Sequence, residues 1–171
     1  MTRRRLFPRT FDIPSTRWRD DFTIRPLCME DVVRDFTCYM TCVDYLRTGG
    51  FIQPPDMPFV DFPRHDMSLR SALVLLGVAE HEMWLGRRVE YGLFNVAETE
   101  EYGCIYILPS MKRGFDAQVT FWVREDRHAD LDADLYGFLR EWVPAVYPML
   151  PRILFPGREM GWDQWARLED A

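Results

Sequence analysis

The stretch from Phe115 to Val143, FDAQVTFWVREDRHADLDADLYGFLREWV, decides the fold of this chain of 171 residues. Its first nine residues alternate in polarity, which predicts a β-strand with one apolar and one more polar face. The apolar face carries Phe115, Ala117, Val119, Phe121 and Val123, and the opposite face carries Asp116, Gln118, Thr120 and Trp122. Helical spacing then predicts a helix that buries Leu131, Leu135, Phe138, Leu139 and Trp142. The stretch is therefore a strand, a charged loop and a helix, and phosphate groups commonly bind at such a helix N-terminus.

The loop that joins this strand to the helix has more acidic than basic side chains. Two arginines, Arg124 and Arg127, are accompanied by five carboxylates, at Glu125, Asp126, Asp130, Asp132 and Asp134. Carboxylates near a helix N-terminus interact favourably with the helix dipole, typically by about 0.3–1 kcal/mol each. The pattern predicts a helix start that is capped by its own carboxylates, which would compete with a bound diphosphate.

The composition indicates one folded domain. Hydrophobic residues make up 47% of the chain and aromatic residues 15%, which argues against disorder. The net charge of −6 argues against nucleic-acid binding through bulk electrostatics. The four cysteines have no metal-ligand spacing and the three histidines are scattered, so we expect no metal site and a reduced, cytoplasmic protein. We also expect no signal peptide and no membrane span.

The rest of the chain is predicted to be a mixture of strands and helices. Residues 1–21 show no sustained period and are expected to form an extended arm, with a single domain at 22–171. Strands are predicted at 22–27, 89–96, 102–108 and 153–155, and helices at 29–47, 68–85 and 162–168. The first of these helices is expected to bury a stripe of Val32, Val33, Phe36, Met40, Val43 and Leu46. This order predicts an α+β fold with a mixed, mostly antiparallel sheet flanked by helices.

In this order of elements the chain resembles the GNAT superfamily of N-acetyltransferases, from Phe22 to the C-terminus. The resemblance rests on the two helices after the first strand and on the segments GCIYI at 103–107, DAQVTFWV at 116–123 and LYGFLREWV at 135–143. The segment PGREMGWDQW at 156–165 is similar to a GNAT-like bacterial subgroup. The resemblance implies an acyl-CoA N-acyltransferase fold with a shortened C-terminus, acetyl-CoA as the cofactor, and a small-molecule or protein amine as the acceptor.

The resemblance also implies where the cofactor would bind. The main chain of Phe121, Trp122 and Val123 would pair with the pantetheine arm of acetyl-CoA, as a peptide pairs with a sheet edge. The side chains at the loop and helix start, Arg124, Arg127 and His128, would lie at its pyrophosphate.

Catalytic residues follow from the same resemblance. Many members carry a carboxylate base near the position of Gln118, but an amide cannot accept a proton. Asp116, two residues earlier on the same face, is the nearest candidate, and a solvent-exposed hairpin end is its alternative. Tyr106 is a candidate for protonating the departing thiolate, with Tyr147 as a second choice, and a core position is the alternative for both.

Three further residues are candidates for contacting the acceptor. Glu82 lies late in the second predicted helix, where it either lines an acceptor pocket or belongs to a solvated polar face. Phe59 and Phe62 belong to a proline-rich aromatic loop at 51–66. A loop of this length in a compact domain is often functional, although its phenylalanines could equally fill the edge of the core.

Two main hypotheses for function follow. The first is an acyl-CoA-dependent N-acetyltransferase that acts on an unknown amine. The second is a catalytically silent GNAT-like module that binds a small ligand or a protein partner in the same cleft. The aromatic excess leaves a dimer-forming structural protein as a third hypothesis.

Overall fold

The computed structural model describes residues 5–55, 57 and 61–171. Six strands form one sheet in the order of the chain: β1 (Thr16–Trp18), β2 (Phe22–Pro26), β3 (Val89–Asn95), β4 (Glu101–Pro109), β5 (Ala117–Val123) and β6 (Ile153–Leu154). Neighbouring strands are antiparallel except for β5 and β6, which are parallel. The predicted α+β class and the mixed, mostly antiparallel sheet are confirmed.

Helices cover both faces of this sheet. They are α1 (Val32–Met40), α2 (Val43–Tyr45), α3 (Leu69–Trp84), α4 (His128–Val146) and α5 (Trp162–Arg167), with 3-10 turns at Met29–Asp31 and Glu125–Arg127 and a π turn at Leu46–Gly50. Residues of α1 to α3 pack on one face of the sheet and α4 packs on the other. In the described part of the chain, none of the helices combines the length and apolar character that a membrane span requires.

The decisive stretch folds as its pattern predicts. Val119, Phe121 and Val123 of β5 pack in the core against α4, whereas Trp122 packs on the opposite face with α1 and α3. Leu131, Leu135, Leu139 and Val143 of α4 are fully buried. The side chain of Leu131 therefore points into the core and away from the predicted phosphate site.

The N-terminal arm differs from its prediction. Thr16–Trp18 forms an edge strand that pairs with Phe22–Ile24, and Leu6 and Phe7 are buried. Three residues are too few for an alternation of polarity to be recognised in the sequence. The arm is thus part of the sheet and of its core well before residue 22.

The helix predicted at 29–47 is interrupted. Cys42 has φ −141° and ψ 34°, which are not helical values, and it separates α1 from α2. The Thr41 hydroxyl donates a hydrogen bond of 2.7 Å to the carbonyl of Cys38. Such side-chain bonds to the backbone compete with helix formation, and this one lies next to the break.

A β-bulge in β4 changes which side chains share a face. Leu93 pairs with Gly103 but Phe94 pairs with Glu101, so Tyr102 is an extra residue on this strand. Because of this extra residue, Glu101 and Cys104 lie on the same face, with 3.1 Å between the Cys104 sulfur and the Glu101 Oε1 atom.

The single lysine of the chain anchors the C-terminal segment. Lys112 is 5% exposed, and its Nζ lies 2.6 Å from a carboxylate oxygen of Asp170 and 5.3 Å from the centre of the Trp165 ring. These contacts hold α5 and the residues after it against the β4–β5 connection.

Candidate functional site

A cavity of about 560 Å³ lies between the sheet and the helices α1 and α3. Helix α1 contributes Asp35 and Tyr39, and the loop after the π turn contributes Phe51 and Phe62. The floor includes Tyr106 of β4 and the polar face of β5, at Gln118 and Thr120. Its size and its mixture of aromatic and polar side chains are typical of small-molecule sites.

Asp35 is the acidic side chain at the inner wall of the cavity. The Cys104 sulfur lies 3.5 Å from its Oδ1 atom, and none of the described arginine, lysine or histidine residues forms an ion pair with it. The pKa of Asp35 is raised to about 7, mainly by burial and to a smaller extent by the nearby charge of Asp31, while the contact with Cys104 lowers it. This carboxyl can therefore exchange a proton near neutral pH.

Glu101 lies behind Asp35 and is 1% exposed. Its Oε2 atom has no hydrogen-bond partner among the described residues. Burial, together with the charge of Asp35, raises the pKa of Glu101 well above its usual range. Asp35, Glu101 and Cys104 place one potential metal-ligand atom each within 4.8 Å of the others, and the thiol contacts account for that proximity without an ion.

Three other buried oxygen atoms around the cavity have no hydrogen-bond partner within the described ranges. They are the hydroxyl oxygens of Tyr39 and Thr120 and the Oε1 atom of Gln53. Buried polar groups are nearly always paired in folded proteins, so such atoms mark places where a bound molecule could supply the partner.

The predicted residue Tyr106 lies in the cavity. Its hydroxyl accepts a hydrogen bond of 3.1 Å from the Trp122 indole N–H, and its ring centre is 5.4 Å from that of Phe51. Burial raises the pKa of Tyr106 well above its ordinary value. The phenol therefore stays protonated and can donate its hydrogen.

Two of the three predicted acceptor-site residues also line the cavity. Phe62 packs edge-to-face on Tyr39, with 4.9 Å between ring centres. Glu82 lies 3.1 Å from the guanidinium of Arg87. Phe59 lies outside the described residues.

Asp116 lies away from the cavity, at the start of β5. Its carboxylate accepts hydrogen bonds from the backbone N–H and the guanidinium of Arg152, at 3.1 to 3.2 Å. This pair attaches the chain before β6 to the start of β5. Asp116 thus has a structural role at the strand end, in place of the catalytic position predicted for it.

The predicted cofactor strand has an open edge. Strand β6 pairs with Ala117 and Gln118, so within the described part of the chain β5 has no strand partner on that side from residue 119 to 123. Phe121, Trp122 and Val123 lie on this unpaired part, with fully buried side chains. Only their main chain is therefore available for recognition.

Four of the five carboxylates at the start of α4 form ion pairs with arginines. Arg124 binds Asp126 and Glu100, and Arg127 binds Asp130. Two more arginines from distant parts of the chain bind Asp134 and Asp132, at Arg19 and Arg158 respectively. The prediction of a helix capped by its own carboxylates is wrong, because α4 has no side-chain cap and these carboxylates bind arginines.

The residues at this helix start fit an anionic group such as the diphosphate of coenzyme A. The Tyr45 hydroxyl is buried without a hydrogen-bond partner among the described residues, and its ring is 5.6 Å from that of His128, whose Nδ1 atom lies 3.7 Å from a carboxylate oxygen of Asp132. The Arg158 guanidinium lies 3.9 Å from the centre of the Phe121 ring, and it binds both carboxylate oxygens of Asp132 at 2.7 and 2.8 Å. A cationic group is thus held beside the open edge of β5.

Comparisons with known proteins support the fold. No protein-family profile and no curated protein sequence matches the chain. Among solved structures, a ribosomal-protein-S5-alanine acetyltransferase from Vibrio fischeri matches with a TM-score of 0.57 and 10% identity, over 77% of this chain and 68% of that protein. A probable acetyltransferase matches with a TM-score of 0.56 and 13% identity, over 78% and 66% of the two chains.

A third structure shares the fold and was solved with coenzyme A. This ribosomal L7/L12 α-N-protein acetyltransferase matches with a TM-score of 0.54 and 12% identity, over 75% of this chain and 70% of that protein. The chain therefore has the acyl-CoA N-acyltransferase fold, and its predicted resemblance to the GNAT superfamily is confirmed at the level of the fold.

Proposed function

We propose that the protein is an acyl-CoA-dependent N-acyltransferase whose acceptor amine binds in the cavity between α1, α3 and the sheet. The observation that carries this proposal is the placement of Asp35. Its carboxyl lines the cavity, has a pKa of about 7 and is not neutralised by any described arginine. A general base works best when its pKa is close to the pH at which the enzyme operates.

The cofactor would lie along the open edge of β5, with its diphosphate near Arg158, His128 and the start of α4. Bound acyl-CoA would supply an acyl carbon that accepts the amine nitrogen while its C–S bond breaks. The main-chain N–H groups of β5 beyond Gln118 are the donors available to hold the thioester carbonyl.

Two side chains of the cavity, Asp35 and Tyr106, would then accept and transfer the protons. Asp35 takes one proton from the bound ammonium group, which leaves a neutral amine. The Tyr106 hydroxyl passes the second nitrogen proton to the departing sulfur, so that the products are an amide and a thiol. Asp35 returns its proton to solvent before the next turnover.

The second candidate function is a ligand-binding module without catalysis. One observation favours it: Arg124, Arg127 and Arg158 are each bound to a carboxylate, so a diphosphate would have to displace an existing ion pair. Both candidates use the same cavity, and cofactor binding separates them.

Calorimetric titration and thermal unfolding with acetyl-CoA test the proposal on the full chain. A cofactor present at 100 times its dissociation constant should stabilise the fold by about 2.7 kcal/mol. Release of free thiol in the presence of a mixture of primary amines would then show transfer. An unchanged unfolding curve at millimolar acetyl-CoA would rule out the transferase and leave the binding module.

A further inference from the structure

We infer that the ligand of the cavity is a small primary amine with an aromatic or branched apolar body, and not the N-terminus of a protein. Its role as acyl acceptor rests on the proposed function, whereas its binding does not. Three features of the cavity lead to this ligand class: an apolar wall, one carboxyl without a cationic partner, and few unpaired polar atoms.

The apolar wall is formed mainly by aromatic rings and long aliphatic side chains. Phe62 contacts Tyr39, and Phe51 lies beside Tyr106 across the same space. Met57 and Leu76, which are 5% and 3% exposed, complete this wall. Aromatic side chains prefer edge-to-face or offset contacts with other rings, and this wall presents ring faces and edges to a ligand.

Among the described lining residues, the carboxyl without a basic partner is that of Asp35. Glu82 and Glu90 also line it, but they form ion pairs with Arg87 and Arg88. Asp35 is left as the lining carboxyl that no described basic side chain neutralises. A buried carboxylate is stable only when it is paired, and an ammonium group supplies both the opposite charge and hydrogen-bond donors.

The polar capacity of the cavity suits one amine better than a peptide. Each peptide unit carries an N–H and a C=O group that must be paired when they are buried. The described lining offers three unpaired acceptor oxygens besides Asp35, on Tyr39, Gln53 and Thr120, together with one unpaired donor, the Nε–H of Arg87. That number can serve the three N–H groups of one ammonium ion, but not the backbone of several residues.

Calorimetric titration at pH 8, with the full chain and four matched probes, tests the inference. The probes are 2-phenylethylamine, the uncharged 2-phenylethanol, the cation ethanolamine without a ring, and a tetrapeptide with a free N-terminal alanine. We expect 2-phenylethylamine to bind at least tenfold more tightly than each of the other three. Comparable binding of the tetrapeptide would overturn the inference.

Two variants locate the binding in this cavity. Asp35→Asn should weaken binding of 2-phenylethylamine at least tenfold and leave that of 2-phenylethanol unchanged. Phe62→Ala should weaken both ligands to a similar extent. Asp20→Asn, an exposed carboxylate outside the cavity, is the matched control and should change neither. If Asp35→Asn binds 2-phenylethylamine like the unmodified chain, the amine does not bind at Asp35 and the inference is wrong.

Failure of the inference can be told apart from failure of the proposed function. If acetyl-CoA binds and the tetrapeptide is acetylated while 2-phenylethylamine does not bind, the transferase stands and the acceptor class is wrong. If 2-phenylethylamine binds as expected while acetyl-CoA does not, the cavity is an amine-binding site and the transferase is wrong.

Discussion

The two faces of the sheet are built differently, although the same strands form both. On the α4 face, Leu131, Leu135, Leu139 and Val143 are completely buried against β5 and its neighbours. On the α1–α3 face, the helices enclose a cavity with a carboxyl at its wall. The α4 face is therefore filled by close packing, whereas the opposite face leaves space and polar groups for a ligand.

The hydroxyl groups show the same contrast. On the α4 face, Tyr91 and Tyr147 are both fully buried, and their hydroxyl oxygens are 2.5 Å apart in a shared hydrogen bond. On the other face, the hydroxyls of Tyr39 and Thr120 are buried with no partner among the described residues. A face that serves only stability satisfies its polar groups internally, whereas a binding face leaves some for a ligand.

The largest effect is expected from Asp35→Asn. Loss of a general base typically reduces the rate by about 10²–10⁴-fold, so kcat/KM should fall by that factor while the fold is retained. In the unmodified chain kcat/KM should rise with pH through an apparent pKa near 7, and the variant should lose this rise. If Asp116→Asn abolishes activity and Asp35→Asn leaves it unchanged, the general base is Asp116, as predicted from the sequence.

As the pH rises and Asp35 loses its proton, the free energy of unfolding should fall, whereas kcat/KM should rise. The pKa of Asp35 is raised from 3.8 to about 7 in the folded chain, so the folded state holds a proton that the unfolded state has lost. This contribution to stability is present below pH 4 and is lost as the pH rises through 7. Denaturant unfolding from pH 4 to 8 should show this decline in the unmodified chain and a smaller decline in Asp35→Asn, with Asp20→Asn as the control.

The next largest effect contrasts two leucines. Leu135→Ala, in the tightly packed face, should reduce the free energy of unfolding by about 2–5 kcal/mol. Leu75→Ala, at a cavity-lining position that is 46% exposed, should cost about 0.5 kcal/mol. Urea unfolding of both variants measures the difference. Similar losses at the two positions would show that the cavity face is packed as tightly as the other.

A smaller difference is expected between two hydroxyl deletions. Tyr147→Phe removes one partner of a buried pair, and the unpaired Tyr91 hydroxyl should cost about 1–3 kcal/mol. Thr120→Val removes a hydroxyl that has no described partner, so stability should be unchanged or slightly higher. Thermal unfolding in the absence of ligand compares them. A large loss in Thr120→Val would show that its hydroxyl is already satisfied.

The smallest effect concerns the ion pair between Arg158 and Asp132 at the start of α4. Asp132→Asn should release Arg158 and tighten acetyl-CoA binding about tenfold, equivalent to one additional charge-assisted hydrogen bond. Asp134→Asn is the matched control, because Asp134 binds Arg19 at an exposed site. Calorimetric titration gives both dissociation constants, and weaker binding by Asp132→Asn would show that Arg158 needs Asp132 to hold it in position.

The α4 face could be predicted from the sequence because its signals are local. Period two in β5 and helical spacing in α4 follow directly from which side chains must be buried. The ion pairs of the acids at the start of α4 are hard to predict because two of the arginines are distant in the sequence. Arg19 lies 115 residues from Asp134, and Arg158 lies 26 residues from Asp132. No local pattern contains such partners.

The cavity face was harder to predict because it breaks the same local rules. The apolar stripe of α1 placed Val33 inside, yet Val33 is 58% exposed and the buried side of the helix holds Cys38 and Tyr39, next to Asp35. The bulge at Tyr102, which no sequence pattern indicates, brings Glu101 to Cys104. The sequence signal for Asp35 is its spacing. It precedes Cys38 by three residues and Tyr39 by four, so the three side chains lie on one side of the helix.

The anchoring of Lys112 has a consequence for the protein's own chemistry. It is the sole lysine of the chain, and its amine is buried against Trp165 and bound to Asp170. A protein that transfers acyl groups to amines would thus present no accessible lysine of its own as a competing acceptor. Amine-reactive dyes and crosslinkers should accordingly leave Lys112 unlabelled in the folded chain, and labelling of Lys112 would report that α5 has detached.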